Sequence, residues 1–299
     1  MRAAVVTKYG SPEGLQLMDL EKPNPKDNEV LIRIHATTVT FGDAMLRRMR
    51  LPSRLVFGLF MGGLKKGKIL GHEFAGEVQS VGSEVTLFQP GDEVFGSTGM
   101  KGGANAEYIS LPEETMFTTK PNNMSFEEAA AVPIGANTAY DILRKAKIQE
   151  GQDVLIYGAS GSVGTYALQL AKYWGANVTG VSSKRNHELL QSLGSDFVID
   201  YRTESFMETG KQYDVVFDAV RKLSSSEVKK SLNPNGVFHS TRESTNETRE
   251  NLIQLRNLIE NNELKAVIDQ RFPLEQIADA HRFVDTGRKV GNLVITIDH

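Results

Sequence analysis

Over residues 1–124 hydrophobic and polar positions alternate in short stretches. Residues 30–36 (VLIRIHA) place apolar side chains near every second position, the period of a strand with one buried face. Residues 74–81, 93–95 and 106–111 read the same way, and the opening MRAAVVTKYG predicts another strand. Gly and Pro punctuate these stretches at Gly71, Gly76, Gly82, Pro90-Gly91, Gly96, Gly102-Gly103 and Pro112. Many short strands joined by Gly-rich turns predict a barrel or sandwich.

The rhythm changes after Pro121. Ser125 followed by Glu128 is a capping-box start to a helix, and strands and helices then alternate. Strands are predicted at 154–157, 177–182, 197–200, 215–219 and 236–240, with helices at 163–174 and 187–193. That βαβ rhythm predicts a parallel sheet covered on both faces. Thr241 to Glu250 (TRESTNETRE) is polar throughout, a surface loop or helix start, and a helix follows at 251–261. After Pro273 the chain predicts an amphipathic helix at 274–284 and a last alternating strand at 292–297.

Composition narrows the function classes. A length of 299 residues suggests two domains. The net charge of −3 lacks the basic excess of a nucleic-acid partner. No cysteine is present, which removes disulfides and every thiolate metal site. The N-terminus has no apolar signal segment, and no apolar run approaches the ~20 residues that span a bilayer. The expectation is a cytoplasmic protein with no membrane span.

The strongest local motif is the run Gly158-Ala-Ser-Gly161-Ser-Val-Gly164. It follows a predicted strand and opens a predicted helix, the context that a dinucleotide-binding turn requires. Small residues let the backbone approach a pyrophosphate, and the helix N-terminus offers free N–H groups. The spacing is Gly-x-x-Gly-x-x-Gly rather than Gly-x-Gly-x-x-Gly. At the end of the next strand an NAD site carries an acidic residue for the ribose hydroxyls. Here the chain reads Val181-Ser-Ser-Lys-Arg185, with nothing acidic before Glu188. Two hydroxyls and two cations suit the 2′-phosphate of NADPH.

Several blocks then match one family in order: residues 1–10, 36–48 (ATTVTFGDAMLRR), 71–78 (GHEFAGEV), 90–94, 106–109, 135–140 (GANTAY), the Gly-rich turn, 197–201 (FVIDY) and the tail at 273–295. In this the chain resembles the quinone oxidoreductase-like family of zinc-independent medium-chain dehydrogenases/reductases. The resemblance implies an α/β protein with a GroES-like β-barrel catalytic domain at 1–124, completed by 266–299. A Rossmann-type, NADPH-binding, doubly wound parallel sheet is implied at 125–265, with the nicotinamide in the cleft. It further implies that Thr138, Ser160, Gly161, Val163, Gly164, Ser182, Ser183, Lys184 and Tyr201 line the cofactor, and that Asn292 reaches it from the tail. Thr40 and Asp43 are the implied catalytic pair. Thr40 stands where many members carry Asn, and Asp43 reads mainly as the cap of the next helix. An apolar loop at 55–64 (LVFGLFMGGL) is a candidate pocket wall.

His72 and Glu73 occupy the block that supplies a zinc-ligand His in zinc-dependent relatives. Those relatives also use cysteine, which this chain lacks, so the expectation is no metal and a structural His72. Without a Lewis acid, hydride is best delivered to a quinone or an α,β-unsaturated carbonyl, where charge delocalises onto oxygen. An alcohol dehydrogenase, or an NADPH-binding protein with little activity, are the alternatives.

Two departures from the family stand out. Arg221 follows Asp218-Ala-Val where a Gly is general, next to the expected nicotinamide. After the strand at 236–240 the segment holding a further parallel strand is missing. The expectation is a sheet one strand short, whose edge-to-edge homodimer is in doubt.

Overall fold

The computed structural model describes residues 1–49 and 67–299. The apolar loop at 55–64 lies outside the described residues. The chain divides into two compact units, Met1–Ile134 with Ile268–His299, and Gly135–Val267.

The first unit is built on β strands. In chain order these are β1 (Arg2–Val6), β2 (Leu15–Asp19), β3 (Glu29–Thr38), β4 (Lys68–Ile69), β5 (Glu73–Val81), β6 (Glu93–Ser97), β7 (Tyr108–Pro112) and β8 (Phe117–Thr119), joined later by two more. The long β3 organises the larger sheet. One edge pairs antiparallel with β5, and the other with β7 along its first half. At its end β3 pairs with the C-terminal strand Asn292–Thr296. Its inward residues Val30, Ile32 and Ile34 meet Phe74, Val78, Val94, Phe117, Leu293 and Ile295 in one buried core. A short three-stranded sheet, β2-β1-β4, stands apart from it.

Two helices of this unit matter below. The first, α1 (Phe41–Arg48), leaves directly from the end of β3. The second, α2 (Phe126–Ala130), starts in the capping box of Ser125 and Glu128. The expected domain boundary at 124 precedes α2, whereas the compact division falls after it, because α2 packs on β3 and β5. The next helix, α3 (Pro133–Ala146), crosses that division in its first turn.

In the second unit β9 (Asp153–Tyr157), β10 (Asn177–Ser182), β11 (Phe197–Asp200), β12 (Tyr213–Asp218) and β13 (Leu232–Ser240) form one parallel sheet. Their order, β11-β10-β9-β12-β13, runs third, second, first, fourth, fifth. This is the doubly wound order without its sixth strand. Helices α4 (Ser162–Tyr173), α5 (His187–Ser192) and α6 (Ser225–Val228) connect the strands. Strand β10 is buried at five of its six positions, as a strand covered on both faces must be. After β13 the chain crosses a polar loop and enters α7 (Arg249–Glu260), capped by Thr248. TRESTNETRE is thus both loop and helix start. The chain then returns to the first unit as β14 (Ile268–Pro273), α8 (Ile277–Asp285) and β15 (Asn292–Thr296).

Candidate functional site

In the second unit the sheet's carboxyl edge carries the Gly-rich turn. Gly158 has φ 80, a left-handed conformation, and a Cβ there would overlap Val220. A Cβ on Gly164 would overlap the Gly158 carbonyl, so this glycine closes α4 onto β9. Gly161 is different. Its φ is −81, and an added Cβ would meet only the Gly158 carbonyl at 3.5 Å, an ordinary contact. The protein's own packing therefore does not require glycine at this position. Gly161 is the N-cap of α4, and no side chain caps that end. Ser160, Gly161 and Val163 keep part of their surface open around it. A smooth, uncapped helix N-terminus with partly exposed backbone fits a dinucleotide pyrophosphate.

One strand further, Ser182 and Ser183 end β10 and are buried, with the Ser182 hydroxyl donating to the Ser183 carbonyl at 3.1 Å. Lys184 and Arg185 follow and are exposed. Tyr201 is half exposed just beyond β11, and its N–H donates to the Ser182 carbonyl at 3.2 Å. These residues gather at one strand end, on the side of β9 away from β12.

Thr138 lies on α3 and donates its hydroxyl to Glu247 Oε1 at 3.1 Å. This contact was not foreseen in the sequence. The polar loop after β13 is tied to α3 by three further bonds. Asn246 N–H donates to Asp141, Lys145 to the Ser244 carbonyl, and Asn137 to the Thr248 carbonyl. Burial pushes the Glu247 carboxyl above its ordinary range, against the pull of the Thr138 and Thr245 hydroxyls.

In the first unit Thr40 caps α1. Its hydroxyl donates to Asp43 Oδ2 at 2.6 Å, and its N–H reaches the same oxygen at 2.8 Å. Thr40 therefore spends its single hydroxyl proton inside the protein. Asp43 has no exposed surface. Its other oxygen accepts from Gly71 N–H at 3.1 Å and pairs with His72 Nδ1 at 2.6 Å. Burial pushes the Asp43 carboxyl up, but the charge and hydrogen bond of His72 and the Thr40 bonds outweigh it. They hold the group well below the ordinary carboxylate range. Burial likewise lowers His72, and Asp43 more than reverses it, so the imidazole is raised.

Glu73 lies beside this pair. One carboxylate oxygen accepts from the Thr38 hydroxyl at 2.5 Å, the other from Ile134 N–H at 2.7 Å. Burial raises its pKa to about 7. Lys289, half-buried before β15, feels the Glu73 charge; burial lowers its pKa to about 8. Asn292 opens β15 and is buried in the same unit. Lys289 Nζ itself donates to the Gly291 carbonyl at 2.6 Å. Sequence reading singled out neither the raised Glu73 nor the lowered Lys289, since burial of this kind leaves no local spacing signal.

A catalytic zinc of the dehydrogenase type needs three protein ligands. The chain has no cysteine, and residues 50–66 contain no His, Asp or Glu. Among the described residues no three His, Cys, Asp or Glu side chains come together. His72 directs Nδ1 to Asp43. The donor set does not fit that metal.

The chain matches the family descriptions "Alcohol dehydrogenase GroES-like domain" over residues 26–122 and "Zinc-binding dehydrogenase" over residues 225–295. It is 34% identical to the 2-methylene-furan-3-one reductase of Solanum lycopersicum, over 99% of this chain and 79% of that protein. It is 30% identical to the chloroplastic NADPH-dependent alkenal/one oxidoreductase of Arabidopsis thaliana, with the same coverage. The solved quinone oxidoreductase of Coxiella burnetii superposes with a TM-score of 0.86 at 27% identity, covering 100% of this chain and 99% of that one. The chain belongs to the quinone oxidoreductase-like family of the medium-chain dehydrogenase/reductase superfamily. It is an oxidoreductase by family, and the family binds a nicotinamide cofactor. No helix among the described residues is long and apolar enough to cross a membrane. The cytoplasmic location expected from sequence stays an expectation, since relatives include chloroplastic proteins.

Proposed function

We propose that the protein transfers hydride from NADPH to a quinone or an α,β-unsaturated carbonyl compound, without zinc. The observation that carries this reading is the state of His72. It stands where zinc relatives place a ligand, yet it is paired with a buried aspartate in a chain without cysteine. An acceptor must then take hydride without a Lewis acid, which conjugated carbonyls do. Two relatives named for enone and alkenal reduction support the substrate class.

NADPH, when bound, supplies the hydride. The chain's residues do the rest. Gly161, Val163 and Gly164 receive the pyrophosphate at the α4 N-terminus, with Ser160 and Thr138 alongside. Ser182, Ser183, Lys184 and Tyr201 hold the adenosine end, where Lys184 supplies charge for the 2′-phosphate. Asn292 is a further cofactor contact proposed from the family resemblance alone. Thr40 and Asp43 shape the acceptor's pocket, and Asp43 keeps His72 and Gly71 in place.

Product analysis tests the chemistry. With NADPH deuterated at the transferable C4 position, a 2-alkenal should be converted to an alkanal carrying deuterium at the β carbon. Deuterium at the carbonyl carbon instead would indicate alcohol dehydrogenase chemistry and contradict the proposal.

A further inference from the structure

Strand β12 ends in a loop that the protein holds from both sides. The buried Asp218 carboxylate accepts from Val220 N–H at 3.0 Å and from Leu223 N–H at 2.8 Å. From the loop just after β13, Arg242 donates to the Leu223 carbonyl at 2.7 Å and to the Arg221 carbonyl. Between these ties Arg221 is fixed in the left-handed region, with φ 60. A non-glycine residue there is strained, and strain of this kind persists only where the surroundings impose it.

The loop lies against the Gly-rich turn, for Val220 packs where a side chain on Gly158 would stand. Arg221 is the next residue. Its Nε donates to the Thr241 hydroxyl at 3.4 Å, which directs the side chain toward the end of β13. Arg221 is exposed, and among the described residues no carboxylate forms an ion pair with it. The result is a permanent cation on a rigid loop, with its Nη edge uncommitted.

Strand order says what lies near it. In a doubly wound sheet the dinucleotide spans the carboxyl edge where the order reverses. With adenosine held at the end of β10 and the pyrophosphate at the end of β9, the nicotinamide half would lie toward β12 and β13, the strands on the other side of β9. Arg221 and Thr241 lie just beyond the ends of those two strands. A group bound beside Arg221 would then face the nicotinamide half rather than the phosphates at the end of β9.

We propose that Arg221 is a specificity-determining residue that holds a carboxylate or phosphate on the electron acceptor, so that this enzyme prefers anionic enones or quinones over neutral ones. The guanidinium Nη edge supplies parallel donors matched to a planar or tetrahedral oxyanion. This rests on the cofactor reading above, and the test separates the two.

The protein saturated with NADP⁺, which cannot donate hydride, is titrated by calorimetry with a 4-oxo-2-alkenoic acid and with its methyl ester. Wild type should bind the acid about tenfold or more tightly, the scale of one charge-assisted hydrogen bond. In R221G and R221Q the acid-to-ester ratio should fall to about one, and R221K should keep part of it. Glycine accepts the left-handed backbone, so R221G is expected to fold, and its melting curve checks this. A ratio near one in wild type, or a ratio unchanged in the variants, overturns the proposal. Weaker NADP⁺ binding in the variants with an unchanged ratio also overturns it, and assigns Arg221 to the cofactor. Failure of wild type to bind NADP⁺ at all sinks the cofactor reading, and this inference with it.

Discussion

His72 Nδ1 lies 2.6 Å from Asp43 Oδ1, and both residues are buried. The pair joins α1 to the turn before β5, and it consumes the imidazole nitrogen nearest the aspartate. A buried charge pair is costly to break from one side, because the remaining charge is stranded. Removing Asp43 also leaves the Gly71 and Thr40 N–H groups unpaired. Asp43→Ala should therefore destabilise the fold by about 3–5 kcal/mol, measured by chemical denaturation. The pH course follows from the two shifts. Asp43 is depressed below 3.8, so its contribution is present above that value and is lost as pH falls through its folded value. His72 is raised above 6.5, so its contribution is complete below 6.5 and is lost as pH rises through its folded value. The gap between wild type and variant should be widest in weak acid.

Glu73 gives the opposite slope to an ordinary paired carboxylate. Its pKa is raised from 4.5 to about 7, so the folded state favours the protonated form. The stability it contributes is complete below 4.5 and declines as pH rises toward 7. Glu73→Gln fixes the neutral shape: its amide oxygen can still accept from Ile134 N–H, and its NH2 takes over as donor to the Thr38 hydroxyl oxygen. Relative to this variant, wild type should lose up to about 3 kcal/mol across that interval and change little above it. A constant difference across the interval would show that Glu73 is ionised throughout.

Arg221→Gly should stabilise the protein. It releases a left-handed non-glycine residue and keeps the Arg242 bond to the backbone carbonyl. The expected gain is roughly 1 kcal/mol, seen as a higher melting temperature. Gained stability together with lost discrimination between acid and ester would mark strain retained for function.

Much of the second unit was legible in the sequence because its signals are local. Strands β10 and β11 run over the predicted residues, 177–182 and 197–200. Each is a mainly apolar run ended by polar residues. The Ser125–Glu128 capping box forms as the spacing suggested, and Ser125→Ala should cost about 1 kcal/mol. The end of the sheet at β13, its fifth strand among the described residues, was also visible, as the polar run that follows 236–240. What escaped was non-local or weakly patterned. Strand β14 (IDQRFP) has no alternation and ends in Pro273; only pairing with β15 makes it a strand. Thr138 and Glu247 meet through tertiary structure alone. Resemblance singled out Arg221, but its left-handed backbone depends on Asp218 at the end of β12 and Arg242 in the loop after β13.

Lys184 offers a direct probe of cofactor choice. It is exposed at the end of β10, free of any structural load evident from its surroundings. Lys184→Ala should weaken NADPH binding by about tenfold while leaving NADH nearly unchanged, because only the former carries the 2′-phosphate. Equal losses for both cofactors would remove the charge reading of that strand end.

Steady-state turnover of a 2-alkenal and a quinone, followed as NADPH oxidation with and without a metal chelator and with NADH in parallel, separates zinc-independent reduction from its rivals. Turnover should be unchanged by the chelator and faster, as kcat/KM, with NADPH. Activity abolished by chelation and restored by zinc would contradict it, as would tight NADPH binding without turnover of either acceptor.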